Sequence, residues 1–403
     1  MGEATVAESD FKIIQDTRRL EGTPLPQVSM IVPVYNVENY VADCLLSILA
    51  NSVNMALELI IIDDGSDDES VKVIKKLIGT GIWPQVLFLQ QENRGLSAVR
   101  NAGIRLARGK YVGFLDSDDF ILQGGLHCMV QYADDMNCDI VLGRSLIFDS
   151  QTRHVKPFYD QSLWDILLGG KSYRTIEAMT CPVVLSLEPN ANYRLIRRQF
   201  LMDHQLSFPE GLVFEDLPVH LRALVKADRI GLLDIPYYWY RVNRPGKITD
   251  EKSQRRFDIL KVAKRAISDL RSCPVTVEQG GATLRGVFRL AWGCGMMTLP
   301  DQRKAFFSQA CQLFSLNIPQ SWVNAYLAQN SQDLRHIILG ALMASGGTTL
   351  LVNLSFGKRN AFSLGWFILR EHYANAVMRA GWAWLMRVRI LQTRGKTDKH
   401  LLP

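Results

Sequence analysis

The sequence predicts an α/β protein built on a doubly wound, mainly parallel sheet, followed by a mostly helical C-terminal region. Three observations predict it. Short apolar runs alternate with amphipathic segments from Val28 to Leu115, the pattern of successive strand–helix units. Three of those runs end in Pro33-Val34-Tyr35-Asn36, Asp63-Asp64-Gly65-Ser66 and Asp116-Ser117-Asp118-Asp119, and ligands of open α/β sheets bind beyond the carboxyl ends of the strands. From Glu251 onward the apolar spacing changes to three and four, which is helical.

In chain order, residues 1–26 read as a polar extension closed by Thr23-Pro24-Leu25-Pro26, which breaks any helix. Val28 to Val32, ended by Pro33, is a buried strand. Asn39 to Ala50 carries Val41, Leu45, Leu46, Ile48 and Leu49 close to helical spacing. Leu57–Ile62, Val86–Leu89 and Tyr111–Leu115 are further strands, separated by helices at Asp67–Ile78 and Leu96–Ala107. Residues 27–145 thus form one half of a domain and 146–250 a second half. In residues 251–403, helices are expected at Arg256–Leu270, Leu284–Leu299 and Gln302–Phe314. Ile337–Phe356 lacks charge over twenty residues, nominally enough to span a bilayer. Ser345-Gly346-Gly347-Thr348-Thr349 and Asn353 weaken that reading, and a buried helix pair broken at Gly346-Gly347 is preferred.

A length of 403 residues allows two domains, or one large domain with an appendage. With 47% hydrophobic and 21% charged residues, the chain has an ordinary globular composition. The net charge of +6 does not suggest a nucleic-acid binder. Its surplus lies in the tail, where nine basic residues from Lys358 to Lys399 meet only Glu371 and Asp398. Seven scattered cysteines without a C-x-x-C pair argue against a disulfide framework and a zinc site. The polar start has no apolar stretch of the secretory type, so a cytoplasmic location is expected.

The stretch GFLDSDD puts three carboxylates into Asp116–Asp119. Like charges so close repel, so a cation is expected there, unless the segment is only a solvated turn. Acidic clusters at neighbouring strand ends favour the cation, and oxygen-only ligands favour Mg2+ or Mn2+ over zinc. Neither a G-x-G-x-x-G after the first strand nor a G-x-x-x-x-G-K-[ST] occurs. Dinucleotide cofactors and P-loop chemistry are therefore disfavoured.

The segments VSMIVPVYNVENYVADCLLSIL, LELIIIDDGSDDES, NRGLSAVRNAGI and GKYVGFLDSDD together resemble the family 2 glycosyltransferases, which share the GT-A fold. The resemblance continues through YRLIRRQFL, FPEGLVFEDLPVHLRAL and YYWYRVNRPGKIT, covering residues 28–250. It implies inverting transfer of a sugar from a nucleotide diphosphate sugar, with Mn2+ or Mg2+ as cofactor. The donor would be a UDP-linked hexose or N-acetylhexosamine, and the acceptor a hydroxyl of a glycan or lipid-linked molecule. By the same resemblance Pro33 and Tyr35 line the nucleoside pocket, Asp64 accepts from the base, and Arg100 sits beside the nucleotide. Asp116 holds the ribose or reaches the metal through water, and Asp118 binds the metal. Asp216 is implied as the base that takes the acceptor proton, with Glu215 orienting it. The alternative for this pair is a helix cap. Arg241 and Lys247 belong to a segment resembling the family's closing loop, where relatives usually carry Ser in place of Lys247.

Other features are read more plainly. His220 is taken as a solvated or packed helix residue, and Trp164, Tyr173, Tyr193 and Trp239 as core residues or faces for sugar rings. The Trp-bearing basic tail suggests contact with an anionic membrane surface, against the alternative of a packed terminal helix. The processive synthases' Q-x-x-R-W signature is absent. A non-catalytic, membrane-associated scaffold with the same fold is the alternative function, and retention of Asp64, Asp116, Asp118 and Asp216 speaks against it.

Overall fold

The computed structural model describes residues 11–18, 25–53, 55–83, 85–245 and 253–356. The chain divides into two compact units, Met1–Glu251 and Lys252–Pro403.

The first unit contains strands β1 (Lys12–Asp16), β2 (Val28–Val34), β3 (Leu57–Asp63), β4 (Gln85–Gln90), β5 (Tyr111–Phe114) and β6 (Phe120–Ile121). Strands β7 (Ile140–Asp149), β8 (Val155–Pro157), β9 (Tyr173–Ile176), β10 (Arg194–Arg197) and β11 (Ile230–Val242) follow. The helices are α1 (Val41–Asn51), α2 (Ser70–Ile78), α3 (Leu96–Leu106), α4 (Gly125–Asp135), α5 (Gln161–Leu168), α6 (Arg198–Asp203) and α7 (Asp216–Lys226). One sheet runs β1-β4-β3-β2-β5-β10-β7-β11-β6, with β8 beside β7 and β9 beside β11. Strands β4, β3, β2 and β5 are parallel, as are β7 and β11. Strand β10 joins the two halves antiparallel to both β5 and β7, so they share one sheet.

The parallel core follows directly from composition. Every residue of β2 and β3 is buried, as expected of strands covered by helices on both faces. Helix α2 buries Ser70, Ile74 and Ile78 at a spacing of four, one stripe facing the sheet. The expected polar extension needs correction. Lys12–Asp16 within it pairs antiparallel with β4, covering an edge that would otherwise expose unpaired backbone groups. Its strand is short and half exposed, so it carries little alternation to read.

At the amino ends of the strands, Glu58 is wholly buried and accepts from Ser29 Oγ (2.5 Å), Arg108 Nε (2.7 Å) and Arg108 N (3.0 Å). This draws the turn before β5 against β2. A Cβ at Gly109 would lie 2.5 Å from Ser29 N and 2.7 Å from the Val28 carbonyl carbon.

The second unit is helical: α8 (Asp258–Arg271), α9 (Val277–Met297), α10 (Arg303–Asn317), α11 (Gln320–Gln329), α12 (Leu334–Ala344) and α13 (Thr348–Ser355). Helix α9 begins earlier than predicted because Thr276 and Gln279 form a reciprocal capping box. Gly280 and Gly281, which argue against a helix locally, admit α11: a Cβ at Gly280 would lie 2.3 Å from the Trp322 ring. Gly346, at φ +80°, breaks α12 from α13, as the sequence predicts. No helix of the described residues is long and apolar enough to cross a membrane. The basic tail lies outside the described residues. All seven cysteines are free.

Because the atoms facing Gly109 are backbone, Gly109→Ala should destabilise the fold by about 1–3 kcal/mol. Denaturant unfolding measures this, and an unchanged midpoint would show that the turn yields freely.

Candidate active site

Since β2, β3 and β5 are parallel neighbours, their carboxyl ends open on one edge. Pro33 is buried in β2, while Tyr35 just beyond it is 48% exposed. Asn36, at φ 51°, ties this loop to the next: its N–H donates to Ser66 Oγ (3.0 Å), and its Oδ1 accepts from Asp67 N (3.0 Å). Asp64 is buried and accepts from Gln91 Nε2 (2.6 Å), Arg94 N (2.8 Å) and Gly95 N (2.8 Å). It thereby shapes the entry to α3, and among the described residues one of its about four acceptor positions takes no donor.

Arg100 of α3 is 1% exposed and carries three charge-assisted bonds. Its Nη2 donates to Asp116 Oδ1 (2.8 Å), and its Nη1 donates to both Glu215 Oε1 (2.7 Å) and Asp216 Oδ1 (2.8 Å). The guanidinium carbon lies 5.2 Å from the Phe208 ring centre. Arg100, expected beside the nucleotide, is thus buried behind three carboxylates, each of which it bonds. The second oxygen of Asp116 accepts from Asn192 Nδ2 (2.8 Å), and Asn192 Oδ1 accepts from Asp116 N (3.1 Å).

The acidic run divides by partner. Asp119 is buried and accepts from Tyr238 Oη and from Arg241 N (2.7 Å), fastening the loop to β11. Asp118 Oδ2 accepts from Arg244 Nε (2.6 Å). Arg241, expected at the nucleotide, is 5% exposed and donates to the Asp118 carbonyl (2.7 Å) and to Asp43 Oδ2 (3.0 Å). Its guanidinium carbon lies 5.3 Å from the rings of Tyr40 and Phe120. This packing fixes the end of β11. Lys247 falls outside the described residues.

Glu215 and Asp216 open α7, and Glu215 makes no side-chain capping bond, so the pair is not a helix cap in the hydrogen-bonding sense. Burial and the neighbouring Asp216 push the Glu215 carboxyl up to about 7, against the pull of Arg100. Burial also raises Asp216, while Arg100 and Arg194 pull it down. His220 is buried, its Nδ1 accepting from Arg194 Nη2 (2.9 Å), the packed alternative. Trp164 and Tyr193 are core, at 2% and 1% exposure, whereas Tyr173 is 60% exposed. Trp239 packs against Phe120 and Phe148. The sequence reading singles out none of Asn192, Arg194, Tyr238 and Arg244; the last three lie inside family-like segments that do not separate them from their neighbours.

Among the described residues no three acidic, histidine or cysteine side chains converge on a metal-sized site. A Mg2+-like ion needs only one or two carboxylates when phosphates supply further ligands. Asp118 meets that requirement: Oδ1 accepts no hydrogen bond among the described residues, and Oδ2 bonds Arg244, a cation that stands where positive charge is favoured.

Comparison with known proteins gives this geometry a context. Residues 29–185 match the family model described as Glycosyl transferase family 2. The chain is 30% identical over 227 residues to "Uncharacterized glycosyltransferase EpsJ" of Bacillus subtilis (strain 168), covering 56% of this chain and 64% of that one. It is 32% identical over 221 residues to "Putative glycosyltransferase EpsH" of the same organism, covering 54% and 61%. The match thus spans less than two thirds of the length of these curated relatives. Among solved structures, S. aureus TarS 1–349 in complex with UDP-GlcNAc superposes with a TM-score of 0.65 at 19% identity, over 82% of this chain and 92% of that one. At that identity the likeness is one of fold, the GT-A fold.

A carboxyl raised by folding holds its proton more tightly in the folded chain. Glu215 therefore adds stability in full below its ordinary value of 4.5 and loses it as pH rises through 7. Glu215→Gln should melt higher than the parent at about pH 8 and show little difference at about pH 5. A melting difference independent of pH would show that Glu215 is not raised.

Proposed function

From residues 29–185, a family 2 glycosyltransferase domain, we propose that the chain moves a sugar from a nucleotide diphosphate sugar to a hydroxyl of a glycan or lipid-linked acceptor. One observation carries the reading. Asp64, Asp116 and Asp118 stand at adjacent parallel strand ends, and Arg100 joins Asp116 to the Glu215–Asp216 pair. Donor-binding acids and a base for the acceptor are the two halves such a reaction needs. The proposed donor is a UDP-linked hexose or N-acetylhexosamine, and the proposed setting is cell-surface polysaccharide or glycoconjugate synthesis at the cytoplasmic face of a membrane. The basic residues from Lys358 onward support the membrane part of that proposal.

In this reading Tyr35 stacks on the nucleoside and the free acceptor position of Asp64 takes a base N–H. Asp118, with Asp116 nearby, would hold Mn2+ or Mg2+. A divalent cation supplies charge neutralisation for the departing diphosphate. Asp216 takes the acceptor hydroxyl proton as that oxygen bonds the anomeric carbon. The bond from that carbon to the diphosphate oxygen breaks on the opposite face, so configuration inverts. Arg100 and the start of α7 favour Asp216 as a carboxylate. Burial raises its basicity toward the operating range.

Two outcomes test this. Asp216→Asn should still bind nucleotide measurably while transfer falls by about 10²–10⁴-fold, read as nucleoside diphosphate released from a panel of nucleotide sugars. Normal transfer would place the base elsewhere. Arg244→Gln removes the cation that competes for Asp118, so Mn2+ without nucleotide should bind more tightly. Weaker or equal Mn2+ binding would remove Asp118 as the metal ligand.

A further inference from the structure

We propose that Arg100 is a positioning residue that couples the donor end of the cleft to the base. Every hydrogen bond of its side chain among the described residues goes to one of three carboxylates, Asp116, Glu215 or Asp216. The three come from different parts of the chain: Asp116 follows β5, and the other two open α7. The surroundings keep the fork in place. Asn101, next to Arg100, clamps the loop before α7 by donating to the Phe208 carbonyl (2.9 Å) and accepting from Phe208 N (2.8 Å). Phe208 in turn closes over the guanidinium. Asp116 is held on its other oxygen by Asn192 (2.8 Å), so it is fixed from both sides.

One cation shared by three carboxylates makes them compete for it in a buried place. Whatever engages Asp116 changes how strongly that carboxylate competes for Arg100, and so changes the hold on Glu215 and Asp216. Coupling between sites is reciprocal: a change at Glu215 must alter affinity at the donor end. A lysine at position 100 keeps the charge but lacks the planar fork that reaches three acids, which separates the bridge from charge acting through space.

This inference rests on the donor reading above. The test is calorimetric titration with UDP and Mn2+ of the parent, Glu215→Gln, Arg100→Lys and the double variant. Glu215→Gln should shift the Kd by about fivefold or more in the parent and by less than about twofold in Arg100→Lys. A Kd unmoved by Glu215→Gln in the parent, or moved equally in both backgrounds, overturns the coupling and leaves the donor site intact. The first of these results needs no Arg100 variant and decides the matter if Arg100→Lys does not fold. Absence of UDP binding to the parent overturns the UDP donor reading and this inference together.

Discussion

The site depends on one buried guanidinium. Arg100 has little contact with water, and taking a cation out of water costs several kcal/mol unless its partners are close and well oriented. Here the partners are three carboxylates at 2.7–2.8 Å. The carboxylates need the cation equally, because three acids brought together without it would repel. This mutual requirement fixes α3, the end of β5 and the start of α7 relative to one another.

The same logic explains why so many acids gather after β5. They do not all do one job. Asp119 is a buried anchor for Tyr238 and the Arg241 backbone, Asp116 is held between Arg100 and Asn192, and Asp118 faces Arg244. Each charge has a partner, yet the Asp118 partner comes from the chain just beyond β11 and leaves one oxygen without a hydrogen bond among the described residues. A cluster that looks uniform in sequence is thus graded from buried anchor to partly engaged carboxylate.

The legible part of the fold was the part built from continuous apolar runs. Strands β2 to β5 and the helices between them bury both faces of the sheet, and such strands announce themselves in composition. Strand β1 was hidden because an edge strand of five residues has little periodicity. The second half was less readable because β11 is bulged between Leu233 and Tyr238 and several of its neighbours are very short. Within the site, Asp64, Asp116, Asp118 and Asp216 stood out through motif and strand-end position. Their partners did not: Asn192 lies 76 residues from Asp116, and Arg244 lies 126 from Asp118. Those relations exist only once the sheet has formed. The position of Arg100 behind the acids, 115 residues from Glu215, belongs to the same class.

The most direct test of the account is calorimetric titration of the purified chain with a panel of nucleoside diphosphates, in Mn2+ and in EDTA. The account predicts that one of them binds and that EDTA weakens it by about tenfold or more, since charge neutralisation at the diphosphate is lost. Failure of every nucleotide to bind in Mn2+ would contradict it, and the acids after β5 would then be only the anchors of a loop.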